Sequence, residues 1–373
     1  MMMKKLFVAM LVMMISFGIS TANDEEKKQD NEIQAETIKK SPDRIIGAPI
    51  IYYTPETNLA FGAAGSYISR LGRFKKDTRP TSISPIVIYT LKKQFKAQVN
   101  ADVYLKADDC RLQMEIKLEK FPNKFFGVGN NTLETNIESY TSNSSVFTLS
   151  FLKKIESGIN FGIKYNFSNW KMIEVEAGGL LESGLFPGSR KGTISGLGLM
   201  VNFDTRDNTF SARSGSLFEL DAMFYKKTLG STFDFTSFSL DLRKYFTLFS
   251  THVLAVQSLV VMQNGDVPFL NLAQMGGQYS MRGYFQGRYR DKNLFVLQAE
   301  YRLPVIWRFG LVGFGGIGNV SEKFRKLSLG DMKYSYGFGI RFLFDPEERI
   351  QVRMDIGFGK GSSGFYFSIF EAF

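Results

Sequence analysis

The chain has 373 residues, with 46 Lys and Arg against 36 Asp and Glu, a formal charge of +10, one histidine and one cysteine. A single Cys110 forms no internal disulfide and, with so little histidine, builds no metal site, so neither metal nor cofactor is expected. No run of about 18 apolar residues occurs anywhere, which excludes helical membrane spans and leaves strands as the only route into a bilayer.

The chain opens as an exported protein does. Lys4 and Lys5 precede an apolar run, Leu6 to Ile19, and Ser20-Thr21-Ala22 supplies small residues for cleavage. Residues 1–22 therefore read as a secretory signal peptide, since the apolar run is short for a span. Residues 23–46 form a polar leader rich in Asp, Glu, Lys and Gln, a composition that favours disorder. An exported basic protein meets outer-membrane lipid head groups and lipopolysaccharide phosphates, so these are the expected partners of the positive charge, and nucleic acid is not.

From residue 47 to residue 373 the dominant period is two. Phe95, Ala97, Val99, Ala101, Val103 and Leu105 share one face, while Lys96, Gln98, Asn100 and Asp102 share the other. The same alternation marks 111–119, 218–224 and 350–359. A helix would scatter these charges through its apolar stripe, so the chain is all-β. Alternation alone is common to a soluble sandwich and to a membrane barrel with a polar lumen. The signal peptide, the lack of disulfides, an aromatic content of 14% suited to interfacial girdles and the closing phenylalanine favour a transmembrane antiparallel β-barrel.

Sixteen strands are expected, at 49–54, 58–68, 82–91, 94–107, 110–121, 144–154, 158–181, 193–203, 216–226, 232–246, 252–264, 294–306, 309–320, 334–344, 349–359 and 364–373. An even count suits a single antiparallel barrel. Pro55 marks a tight first turn, and longer loops are expected at 122–143, 182–191 and, longest, 265–292.

That longest loop contains Gly276-Gly277-Gln278-Tyr279-Ser280-Met281-Arg282-Gly283-Tyr284, where glycines permit the tight or left-handed turns of a loop folded back on itself. The stretch resembles the arginine-glycine-aromatic loop of the BamA/TamA surface-antigen superfamily of outer-membrane barrels. Further motifs follow in the family's order: 49–57 looks like its first hairpin, Phe203-Asp204-Thr205-Arg206-Asp207-Asn208 with Gly215 is similar to its mid-barrel turn, and Glu300-Tyr301-Arg302 follows the loop. The closing Phe370-Glu371-Ala372-Phe373 also matches, and the resemblance implies that Phe373 serves as a terminal targeting signal, although Glu371 stands where an apolar residue is more usual.

The resemblance implies that Met281, Arg282, Gly283 and Tyr284 lie in the lumen, with Arg282 paired to an aspartate in a Phe-x-Asp-x-Gly strand motif. Here that motif falls on Phe314-Gly315-Gly316-Ile317-Gly318, and Gly316 stands at the aspartate position. Asp355 and Glu300, both on the polar phase of late strands, are the expected substitutes. Arg282 either takes part in activity or simply pins the loop, because a buried bidentate pair fixes a conformation without chemistry. Asp204, Arg206 and Asp207 read foremost as turn stabilisers. The short segment before the barrel resembles the subgroup without the periplasmic POTRA domains.

Two other signals fail. Residues 313–318 spell G-x-G-x-x-G, but no helix follows to hold a pyrophosphate, and the glycines suit a thin wall against which a loop packs. His252 is the one possible histidine base, yet no serine elbow or paired acid accompanies it, so the chain is not expected to be an enzyme. The family implies an assembly or translocation barrel, with unfolded outer-membrane or secreted proteins as clients. The alternative is a passive pore or a structural, lipid-binding barrel.

Overall fold

The computed structural model describes residues 43–54, 58–71, 78–106 and 108–373. The expected signal peptide, nearly all of the leader and the Pro55 turn fall outside these residues. The strands are β1 (Arg44–Thr54), β2 (Asn58–Ser69), β3 (Thr81–Thr90), β4 (Phe95–Leu105), β5 (Cys110–Phe125), β6 (Glu138–Glu156), β7 (Ile159–Val175), β8 (Lys191–Asp204), β9 (Gly215–Tyr225), β10 (Phe235–Leu248), β11 (His252–Gly265), β12 (Ala273–Met275), β13 (Tyr289–Asp291), β14 (Asn293–Ile306), β15 (Phe309–Ser321), β16 (Lys333–Asp345), β17 (Ile350–Gly359) and β18 (Ser362–Ile369). Sixteen of them form one antiparallel sheet in sequence order, and β12 pairs with β13 as a separate hairpin inside the longest loop.

The alternation of the sequence resolves into an apolar outside and a polar lumen. On β16, Tyr334, Tyr336, Phe338 and Ile340 point outward and are exposed, whereas Ser335 and Arg341 between them are buried. On β17, Met354 and Ile356 are exposed while Arg353 and Asp355 are wholly buried. An exposed apolar belt with charges turned inward is the arrangement of a barrel in lipid, not of a soluble sandwich.

Several expected boundaries move. β1 begins at Arg44, which pairs with Ile68 and whose guanidinium binds Asp345 and Glu347 beside the β16–β17 turn. The expected loop at 122–143 shrinks to 126–137, because the β5–β6 ladder continues to Phe125 opposite Glu138. The strand expected to reach Leu181 stops at Val175, and the last strand stops at Ile369 rather than Phe373. Regular alternation fades in these stretches because their side chains leave the lipid-facing wall. Phe125, Tyr140 and Leu181 instead join Trp170, Ile194, Phe233, Phe235, Val267 and Phe269 in a buried apolar dome.

The dome sits at the end of the barrel that carries the long connections 126–137, 176–190, 226–234, 266–292 and 322–332. It is the largest apolar cluster among the described residues, and it joins inward-facing residues of β5 to β10 to residues of the long connections. The opposite end carries short turns at 106–109, 157–158, 249–251 and 307–308, and the longer connection 205–214.

Candidate functional site

The loop 266–292 folds into the lumen and lies against β14 to β18. Its tip takes left-handed backbone at Gly276, Gly277, Met281 and Gly283, with φ of 111°, 101°, 55° and 114°. Three of these four positions are glycines, which adopt such angles without steric cost. The wall is thinned to receive it. A Cβ on Gly357 would come within 2.7 Å of the Arg282 backbone, and one on Gly283 within 2.5 Å of the Phe358 backbone, so loop and strand approach main chain to main chain.

Polar contacts then fix the tip. Met281 N donates to Gln298 Oε1 at 3.1 Å, and Gln298 Nε2 donates to Tyr279 O at 2.8 Å. Gly283 N donates to the Tyr366 hydroxyl at 2.9 Å, and Ser362 Oγ to Gly283 O at 2.7 Å. The Tyr284 hydroxyl donates to Tyr334 O and accepts from Lys360 N, both at 2.9 Å. Met281 and Tyr284 join Met275, Leu294 and Val296 in a second buried apolar cluster.

Arg282 is 2% exposed and stands at the centre of a buried ionic cluster. One arm reaches Glu300, the other donates to Asp355 Oδ2 at 2.5 Å, and the guanidinium carbon lies 3.6 Å from the centre of the Phe314 ring. Glu300 Oε2 also accepts from Arg302 at 2.9 Å. Asp355 accepts from Arg341 at 2.5 Å and from Arg353 at 2.9 Å. Glu371 accepts from Arg341 Nε at 2.8 Å. Among the described residues the cluster therefore holds four guanidinium groups and three side-chain carboxylates, and Arg302 also donates to the Phe373 main-chain oxygen. Such desolvated charges persist only because nearly every one is shared between partners.

Gly316 has no room for an acid here. A Cβ there would lie 2.9 Å from Gln298 Cβ and 3.0 Å from Met281 Sδ, so the position is occupied by the loop itself. The acids stand instead on β14 and β17. Gly318 likewise faces Met275, whereas Gly313 faces open space on the outer side.

Asp204, Arg206 and Asp207 lie at the other end of the molecule. Asp204 accepts from Arg206 Nε at 2.9 Å and from Arg79 Nη1 at 2.5 Å. Asp207 accepts from the backbone N–H groups of Arg213 and Ser214 at 2.9 and 3.1 Å, and from Arg349 of the β16–β17 turn at 2.5 Å. Burial would raise the Asp207 carboxyl, but Arg349 and those two N–H groups outweigh it and hold it below the usual range. The trio therefore shapes its own connection and also ties it across the barrel end, a link that local turn chemistry did not indicate.

Phe373 lies inside the lumen rather than on an outward strand face. After Ile369 the chain turns at Phe370, φ 70°, and Phe370 stacks on Phe210 at 4.7 Å between ring centres. Ala372 and Phe373 then pack with Ala212, Tyr245 and Ala255. His252 is at the barrel rim, where Nδ1 meets the Tyr301 hydroxyl at 2.5 Å.

An Omp85 superfamily domain matches residues 87–373. The chain belongs to the Omp85 superfamily. The fold is similar to that of BamA from Haemophilus ducreyi lacking POTRA domains 1–3, at 14% identity and a TM-score of 0.56 over 88% of this chain and 71% of that one. It is also similar to CdiB from Acinetobacter baumannii, at 13% identity and a TM-score of 0.53 over 88% of this chain and 59% of that one. No curated protein matches the sequence. The protein is accordingly a BamA/TamA-like barrel of the bacterial outer membrane.

Within this Omp85 barrel, Arg302, Arg341, Arg353 and Glu371 are the site residues that sequence reasoning left out. All three arginines occupy the polar phase of β14, β16 and β17, which marks them as lumenal. Their convergence on one loop is not written in any local pattern. Glu371 did carry a signal, as an acid in a closing segment that is otherwise apolar.

Proposed function

We propose that this Omp85 barrel assembles or translocates unfolded outer-membrane or secreted proteins, working from a plugged resting state, and that it is not an enzyme. The observation that carries the reading is the loop 266–292, anchored in the lumen by Arg282 between Glu300 and Asp355. With the dome over the long-loop end, it leaves a lumenal cavity of about 480 Å³ lined by Asp102, Arg111, Glu219, Asp241, Arg243 and Tyr279.

β1 and β18 are the terminal strands of the sheet order. A client strand would add to such an edge through backbone hydrogen bonds, with its side chains selected by the alternating outer face. Lys323, Arg325 and Lys326 on the connection 322–332 supply positive charge for lipopolysaccharide phosphates at the long-loop end. Quantitative outer-membrane proteomics after depletion tests the reading. Loss of specific barrels or secreted proteins is the expected result, and an unchanged proteome with lost solute uptake would establish the pore instead.

A further inference from the structure

The segment Phe370–Phe373 and the loop tip at Arg282 come from opposite ends of the barrel, yet they share partners. Two routes join them. Along the first, Glu371 accepts from Arg341 Nε at 2.8 Å, Arg341 Nη1 donates to Asp355 Oδ1 at 2.5 Å, and Asp355 Oδ2 accepts from Arg282 at 2.5 Å. Along the second, Arg302 Nη2 donates to the Phe373 main-chain oxygen at 2.8 Å and to Glu300 Oε2 at 2.9 Å, and Glu300 Oε1 accepts from Arg282. Each route passes through one arginine and one acid.

The same segment is also held at the short-turn end. Arg302 Nη1 donates to Ala212 O at 3.3 Å, Phe370 stacks on Phe210, and Glu371 N reaches Phe210 O at 3.5 Å, so the segment is fastened to the connection 205–214. That connection is in turn fastened to the β16–β17 turn, through Asp207 with Arg349 and through Asn208 Nδ2 to Glu348 O at 3.1 Å. β18 itself is eight residues long and is continuous with the segment.

The sharing of carboxylates makes the linkage energetic rather than merely geometric. The buried guanidinium groups depend on every carboxylate they have, and withdrawing Glu371 leaves four of them facing two side-chain acids and the Phe373 main-chain oxygen. Arg341 and Arg302 would then draw more heavily on Asp355 and Glu300, the two acids that hold Arg282. We propose that Phe370–Phe373 is a latch: it closes the short-turn end of the lumen and, through Arg341 and Arg302, locks the Arg282 loop, so that displacing the latch unlocks the plug. Linkage requires the converse, in which loosening Arg282 frees the latch. The inference concerns the isolated barrel and stands or falls independently of the client.

The test uses the purified, refolded full chain with Cys110→Ser and one reporter thiol. Ser280→Cys is nearly isosteric, and the Ser280 hydroxyl is buried and without a hydrogen-bond partner. Ala372→Cys reports on the latch, which is buried as well. Glu371→Gln and, separately, Phe373→Ala should speed maleimide labelling of Ser280→Cys by about 10-fold or more, within the usual range of coupling between sites. Arg282→Lys should speed labelling of Ala372→Cys by the same factor. Combining Glu371→Gln with Arg282→Lys should fall short of the product of the two single effects at Ser280→Cys, since both act through one network. Faster labelling of Ala372→Cys in Phe373→Ala, with Ser280→Cys left at its basal rate, would overturn the proposal. Should Glu371→Gln block folding, Phe373→Ala decides alone, because it retains every charge of the cluster.

Discussion

Arg282→Ala removes a guanidinium that binds Glu300 and Asp355 and lies 3.6 Å from the Phe314 ring centre. Each charge-assisted bond contributes about 1.5–3 kcal/mol and the ring contact about 0.5–2 kcal/mol, a gross loss of roughly 4–8 kcal/mol. Much of this is recovered. Glu300 keeps Arg302 and Asp355 keeps Arg341 and Arg353, so neither acid is left without a guanidinium partner. The net cost should therefore sit near 3 kcal/mol, at the low end for breaking a buried pair, and should fall on loop docking. Asp355→Asn instead leaves arginines short of an ionised partner. It weakens the acceptor shared by three arginines and leaves four guanidinium groups with two acids, so its cost should be about 5 kcal/mol. Melting followed by heat-modifiable gel migration ranks the two variants, and single-channel conductance with protease access at Arg288 and Arg290 reports the loop. Arg282→Lys should restore less than half of the loss, because an ammonium lacks the fork that engages two carboxylates. An Arg282→Ala barrel less stable than Asp355→Asn would refute the reasoning from shared partners, and unchanged conductance and proteolysis would refute loop anchoring.

Gly316→Asp would restore the acid of the family motif, yet it should destabilise the barrel by about 1–3 kcal/mol, since a side chain there meets Met281 and Gln298; a rise in melting temperature would contradict this. The depressed Asp207 carboxyl contributes stability that is full above its unfolded value of about 3.9 and is lost as pH falls through the lower folded value. Asp207→Asn should accordingly melt below the parent at pH 7, with the gap closing below about pH 4, and a gap independent of pH would assign the loss to something other than ionisation. Phe269→Ala, in the dome, should cost about 3–5 kcal/mol and raise proteolysis of the long loops; wild-type proteolysis would mean that the dome does not hold them. Deleting Phe373 should lower the yield of membrane-inserted protein, and full insertion would remove it from targeting.

The all-β class and the sixteen wall strands were legible in the sequence because a wall with lipid on one side and a polar lumen on the other imposes period two on every strand. The loop was legible too, since only glycine takes its left-handed angles without strain, and Gly276, Gly277 and Gly283 stand out in a strand-rich chain. Asp355 and Glu300 could be named as candidate partners because the family resemblance calls for a strand acid opposite the loop arginine and both stand on the polar phase of late strands. What the sequence did not carry was any feature that depends on the lumen being shared. The strand ends at Phe125 and Glu138, the dome around Trp170 and Phe269, and the inward turn at Phe370 arise where lumen-side residues meet partners from other strands and connections. The cluster of Arg302, Arg341, Arg353 and Glu371 around Arg282 is of the same kind. Periodicity reports which face a residue occupies, while curvature of the sheet decides which of those faces converge, and only the tertiary structure fixes that curvature.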